Sequence, residues 1–127
     1  MHKQLSGTKI KVKARLRHHR SAEKMDRIER LKQMLVQQPN DSFLKHALGL
    51  EYQKLGDTKQ AVLLFRSVLE ADENYIGSYY QLAKLLEQQG DAAEAIKVYE
   101  KGITKAKELG DQHALNELRS AYEELIY

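Results

Sequence analysis

The most regular part of the chain begins with two segments in which apolar residues recur with the period of an α-helix, so that each forms an apolar stripe. The stripe over 42–54 consists of Leu44, Leu48 and Tyr52, and the stripe over 58–71 of Ala61, Leu64, Phe65, Val68 and Leu69. Apolar residues spaced three or four apart fall on one face of an α-helix, where they can pack against a neighbour. The pattern therefore predicts two amphipathic helices separated by a short turn.

The same pattern returns 34 residues further along, with Gly90 standing where Gly56 stood. The other matched pairs are Leu48 and Leu82, Gly49 and Ala83, Asp57 and Asp91, Ala61 and Ala95, Val62 and Ile96, and Phe65 and Tyr99. Small residues recur at small positions and large apolar residues at large ones. A fixed period of this length is typical of repeat architectures. It predicts a second helix pair near 76–88 and 92–109.

The turn inside each pair has the residues that end one helix and begin the next. Gly56 can adopt the left-handed backbone that terminates a helix. Asp57 can then cap the following helix, with Gln60 three residues on as the partner in a capping box. Asp91 and Glu94 repeat this arrangement in the second copy. Each copy is therefore predicted to be a helix–turn–helix unit.

At this point the chain resembles a known family. The first copy carries Leu48-Gly49, Tyr52, Gly56-Asp57, Ala61 and Phe65 at the positions that characterise the tetratricopeptide repeat. The resemblance covers about 42–109 and implies an all-α fold, a short helix–turn–helix solenoid. Departures are few. Tyr79 fills the position that the family usually gives to Trp, Lys45 occupies it in the first copy, and the usual Pro between repeats is absent.

The flanks complete the predicted solenoid. Residues 25–38, with the stripe Ile28, Leu31, Met34 and Leu35, look like the second helix of a preceding half-repeat. Residues 111–126 look like a C-terminal capping helix, with the stripe Leu115, Leu118, Tyr122 and Leu125 and the polar face Gln112, Asn116, Arg119, Glu123 and Glu124. Between them lie repeats 42–75 and 76–109, which gives six helices. We expect a folded domain over 22–127 and a basic, disordered tail over 1–21.

Charge is distributed unevenly along the chain. Residues 1–20 carry seven Lys and Arg side chains and no acid, whereas the other 107 residues carry 14 basic and 18 acidic side chains, a net charge of −4. Within the tail, residues 9–17 alternate basic and apolar, which has the period of a strand. The candidates for binding an anion are Lys9, Lys11, Lys13, Arg15 and Arg17. The tail could be disordered or foreign to the domain, contact nucleic acid or a membrane surface, or form a strand that mediates self-association.

Residues able to carry catalysis or hold a metal are scarce. The absence of cysteine excludes disulfides, thiolate zinc sites and cysteine nucleophiles. No two of the five histidines lie four residues apart with a carboxylate between them, and no phosphate-binding glycine loop occurs. No apolar run is long enough to span a membrane, and the basic N-terminus lacks the apolar stretch of a secretory signal. We therefore expect a cytoplasmic, non-catalytic protein without cofactor or metal.

The resemblance implies a function in protein–protein interaction. The first helix of each repeat in this family lines a concave groove that holds a partner segment. The matching positions here are Phe43, His46, Leu50, Tyr80, Gln81 and Lys84. His46 and Leu50 stand where the family's carboxylate clamp needs Lys and Asn, so binding of a chaperone C-terminus is not expected. The alternative is that Phe43 and Leu50 pack against the preceding helix and leave no groove.

The expected partner is therefore a protein or peptide of unknown identity. A different function, association with nucleic acid or another anionic surface, would act through residues 1–20. A weak homodimer is also conceivable, because the helix over 25–38 would have only one neighbour in a solenoid this short.

Overall fold

The computed structural model describes residues 26–127, which form six α-helices and, within that range, no strand. The helices are α1 over 26–37, α2 over Ser42–Lys54, α3 over Thr58–Ala71, α4 over Gly77–Gln88, α5 over Ala92–Leu109 and α6 over Gln112–Ile126. The all-α prediction is confirmed. The predicted division between a tail and a domain near residue 21 lies outside the described residues and stays a prediction.

The turns begin and end the helices as the sequence predicts. Gly56 and Gly90 have φ angles of 80° and 82°, the left-handed conformation in which a side chain would be strained. The Asp57 carboxylate accepts a hydrogen bond from the backbone N–H of Gln60 at 3.2 Å, and Asp91 accepts one from Glu94 at 3.1 Å. Because these carboxylates satisfy N–H groups that have no partner inside the helix, each turn leads directly into the next helix.

The helices stack in chain order. Each of α2 to α5 packs against the helix that follows it, and α4 also touches α6. The helix α1 meets α2 through an ion pair between Arg27 and Glu51 at 3.6 Å, and through the Lys32 ammonium, which lies 5.9 Å from the centre of the Tyr52 ring. Consecutive stacking without long-range crossings is the architecture of a solenoid.

Residues one repeat apart occupy matching places in the core. The aromatic rings of Phe65 and Tyr99, which stand 34 positions apart, are both fully buried, as are the small residues Ala61 and Ala95. At Gly102, α5 approaches α4 closely. A Cβ atom built there would lie 2.7 Å from the Cβ of Tyr79, closer than non-bonded carbon atoms approach each other in proteins. A side chain at 102 would therefore push α5 away from α4.

The two ends of the stack differ in how well the sequence predicted them. On α6 the predicted apolar stripe faces the core, with Leu115 and Leu118 buried, and the predicted polar face is exposed. On α1 the prediction is partly wrong, because Met34 is 50% exposed while Ile28 is buried. Leu31 and Leu35, four residues apart, are half-buried, so Met34 lies at the edge of the stripe and not on its packed face.

Candidate functional site

The two apolar residues of α2 that were predicted to line the groove, Phe43 and Leu50, are in different environments. Phe43 lies in the first turn of the helix and is 67% exposed, whereas Leu50 is half-buried and packs against the hydrophobic core. A partner that covers an exposed Phe at the start of a helix removes a large apolar area from water, and the Phe loses no contact within the protein. Phe43 is therefore available to a ligand in this structure, and Leu50 offers a partial surface about two helical turns further on.

His46 lies in the joint between the two repeats. Its Nδ1 atom is 2.8 Å from the hydroxyl of Ser78, which is itself fully buried on α4. The imidazole ring also contacts the ring of Phe65, with centroids 5.2 Å apart, and that of Tyr75 at 5.1 Å. Burial lowers the pKa of His46 from its ordinary value. The side chain is thus occupied by contacts within the protein.

The predicted groove residues of α4 form one stripe with a neighbouring acid. Tyr80 and Lys84 are half-buried, and the Lys84 ammonium lies 5.9 Å from the centre of the Tyr80 ring. The same ammonium is 3.8 Å from Glu87 Oε2, one turn further along. Gln81 is also half-buried, beside Tyr80. This stripe combines an aromatic face, a cation and hydrogen-bonding groups, which suits a partner segment of mixed polarity.

Glu87 has a further partner that the sequence did not suggest. The hydroxyl of Tyr99 on α5 donates a hydrogen bond to Glu87 Oε2. Burial, and secondly this hydrogen bond to a carboxylate, raise the pKa of Tyr99 above its ordinary range. Tyr79, near the start of α4, donates to the carbonyl of Glu73 at 2.6 Å, and burial raises its pKa to about 12. Both phenols therefore stay protonated and act as fixed donors that tie neighbouring elements together.

A cleft of about 350 Å³ lies between α3 and α5. Its lining residues are Arg66, Leu69, Glu70, Glu73, Tyr79, Leu82, Glu94, Lys97, Val98 and Lys101. Ion pairs cross it between Arg66 and Glu94 at 3.6 Å and between Lys101 and Glu73 at 3.3 Å. The sequence did not predict this cleft, because it exists only where α3 and α5, the second helices of the two repeats, diverge over α4.

The predicted anion-binding residues of the tail, Lys9, Lys11, Lys13, Arg15 and Arg17, lie outside the described residues. Among residues 26–127, no three His, Asp or Glu side chains come together in a way that could hold a metal ion. Nor does any helix in that range combine the length and apolarity needed to cross a membrane.

Comparison with known proteins decides the family. Residues 17–102 match the family model of the anaphase-promoting complex, cyclosome, subunit 3. A tetratricopeptide repeat domain protein from Salinibacter ruber is 38% identical, with a TM-score of 0.65, over 67% of this chain and 94% of that one. The chain belongs to the tetratricopeptide repeat family. Among curated proteins none matches it.

More distant solved structures share the fold. The TPR2B domain of yeast Sti1, in its pHsp70 complex, has a TM-score of 0.75 at 17% identity and covers 83% of this chain and 84% of that one. PcrH, in complex with the chaperone-binding region of PopD, has a TM-score of 0.76 at 16% identity, with 85% and 82% covered. At these identities the likeness concerns the fold of the repeat domain. The family is in general a protein-interaction fold and not a catalytic one.

Proposed function

We propose that this tetratricopeptide repeat domain is a non-catalytic interaction module, which binds an extended or helical partner segment in a groove along its first helices α2 and α4. The observation that carries the proposal is the exposed Phe43 on α2 together with the open stripe of Tyr80 and Lys84 on α4. Related folds in complex with pHsp70 and with a region of PopD support a role in partner binding.

Each groove residue would contribute a different kind of contact. Phe43 and Leu50 would bury apolar side chains of the partner. Tyr80 is the preferred anchor, because a half-buried ring is already held in place and a partner that covers it loses little rotamer entropy. Gln81 and Lys84 would donate hydrogen bonds to the partner's backbone or carboxylates. His46 would act indirectly, since its ring is enclosed between the repeats.

The first prediction concerns these anchors. With the full chain as bait and a captured partner in hand, Tyr80→Ala and Leu50→Ala should each weaken binding by about tenfold or more, which is typical of central anchors. The measurement is the dissociation constant by calorimetry for each variant. Leu63→Ala is the matched control, because Leu63 is an exposed leucine on α3, away from the first helices. Equal loss in all three variants would contradict a groove on α2 and α4.

A second candidate function rests on charge. Seven cations and no acid within residues 1–20 could neutralise several phosphates, while the rest of the chain is net negative. We expect nucleic acid, if it binds at all, to bind through Lys9, Lys11, Lys13, Arg15 and Arg17. Affinity for a generic oligonucleotide should then fall steeply with added salt and disappear when residues 1–20 are deleted. If the deletion abolishes binding of the protein partner too, the groove is not the functional surface.

The remaining details of the proposal are an adaptor role in the cytoplasm and a weak homodimer. Without cysteine the chain cannot be a disulfide-stapled secreted scaffold. Met34 and Val36 are exposed on α1, the first described helix, and could contact a second copy. Sedimentation that shows only monomer at high concentration would contradict the proposed homodimer.

A further inference from the structure

The two first helices of the solenoid are joined by one side-chain hydrogen bond. His46 on α2 reaches Ser78 on α4, with 2.8 Å between Nδ1 and Oγ, although 32 residues separate them. In the chain, α3 lies between these two helices, and it packs against both α2 and α4. The His46–Ser78 bond is therefore a direct bridge across the first-helix layer, beside the residues proposed to line the groove.

The bridge is held on several sides. The imidazole contacts Phe65 of α3 and Tyr75 of the connection into α4. At the start of α4, a Cβ atom on Gly77 would lie 3.6 Å from the imidazole Cε1, so the ring lies against the backbone there. Ser78 is fully buried, so its hydroxyl has little access to water as a substitute partner. Displacing the imidazole would leave that hydroxyl unsatisfied.

We infer that His46 and Ser78 are positioning residues that set the spacing between α2 and α4, and that protonation of His46 loosens this joint and changes the width of the groove. This inference rests on the proposed function for its consequence, because only a groove between first helices makes their spacing matter to a partner. The joint itself can be tested without any partner.

The charges around the joint leave His46 as the titrating group. Burial is the cause that lowers the pKa of His46, and no charged side chain counteracts it. Asp41 and Asp72 act on the nearby Tyr75, whose pKa rises first through burial and then through these two carboxylates. Lys45, next to His46 on α2, donates to Ser67 of α3 at 3.1 Å. Neither carboxylate thus offsets the effect of burial on the pKa of His46.

The sign of the pH dependence follows from this lowered pKa. Well above pH 6.5, the ordinary value, His46 is neutral whether the chain is folded or unfolded, and its contribution is fully present. As the pH falls below 6.5, the unfolded chain takes up the proton more readily than the folded one, so stability is lost. The loss ends once the pH passes below the pKa of the folded state.

The first test compares the full chain with His46→Gln, whose amide can still hydrogen-bond Ser78 but does not titrate. Between pH 7.5 and 5.5, the thermal midpoint of the parent should fall by roughly 2–4 °C more than that of the variant, a small shift for a domain of this size. His113→Gln is the matched control, because His113 is exposed on α6, and it should follow the parent. Parallel curves for the parent and His46→Gln would overturn the inference.

The second test measures the spacing itself. Because the chain has no cysteine, spin labels can be attached at Leu55→Cys and Gln89→Cys, two exposed positions one repeat apart that follow the ends of α2 and α4. In the parent, the distance distribution should shift or broaden as the pH is lowered from 7.5 through the range in which folded His46 takes up a proton, and Ser78→Ala should cause the change already at pH 7.5. His46→Gln should show no such pH dependence. A stability change with an unaltered distance would show that the pair is merely structural. Either result is independent of whether a partner binds the groove.

Discussion

Phe65→Ala should lower the free energy of unfolding by about 3–5 kcal/mol, the usual cost of removing a fully buried phenyl ring. Phe65 is completely buried and its ring supports contacts from two directions. A Cβ on Gly49 would lie 2.9 Å from it, and the His46 ring lies 5.2 Å away, centre to centre. Alanine would leave a cavity at the meeting point of α2, α3 and the joint to α4. Urea unfolding followed by circular dichroism measures the loss.

Phe43→Ala is the control for this experiment, since Phe43 is the other phenylalanine of the chain and is 67% exposed. Its removal should change stability by no more than about 0.5 kcal/mol, as is usual for surface positions. Similar losses in both variants would mean that Phe43 is covered in solution, by another part of the chain or by a second copy. That outcome would also count against its availability to a partner.

Ala95→Leu should lower the free energy of unfolding by about 1–3 kcal/mol or prevent folding. Ala95 is fully buried on α5, one turn before the buried Tyr99. The position matches Ala61 in the first repeat, which is buried to the same degree. Three additional carbon atoms have no space there, so α4 and α5 would have to separate. The denaturant midpoint of the full chain reports the effect.

The matched control is Ala93→Leu, the same substitution on the same helix at an exposed position. Both changes have the same effect on helix propensity, so the difference between them isolates overpacking in the core. An unchanged midpoint for Ala95→Leu would show that the helices can move apart at no cost. The repeat register on which the fold was predicted would then be wrong.

The helices were predictable from the sequence because their signals are local. Asp57 and Asp91 can cap only the turn that follows them, and Gly56 and Gly90 are the residues that tolerate positive φ at a helix end. The 34-residue period added long-range information, since it required matching positions to have matching surroundings. Met34 shows where this reasoning fails. At the end of α1 the period alone does not reveal which face still has a neighbour.

The candidate site was predictable only in part. The positions of Tyr80 and Lys84 within the repeat predict that they lie on one face of α4, and the structure brings them together. The register could not predict that His46, which matches Tyr80 one repeat earlier, would turn to Ser78 and away from solvent. That choice depends on the distance between two repeats. The cleft between α3 and α5 was missed for the same reason.

The sequence by itself determined the all-α repeat, the places where its helices begin and end, and the small residues at the matched positions Ala61 and Ala95. These properties follow from hydrogen bonds, backbone angles and side-chain sizes that act within a few residues or recur at a fixed interval. Only the tertiary structure decided which side chains remain open to a partner and which, like His46 and Tyr99, join one helix to another. Exposure and cross-helix hydrogen bonds depend on the angle and distance at which helices stack, and these are set by the packed core as a whole.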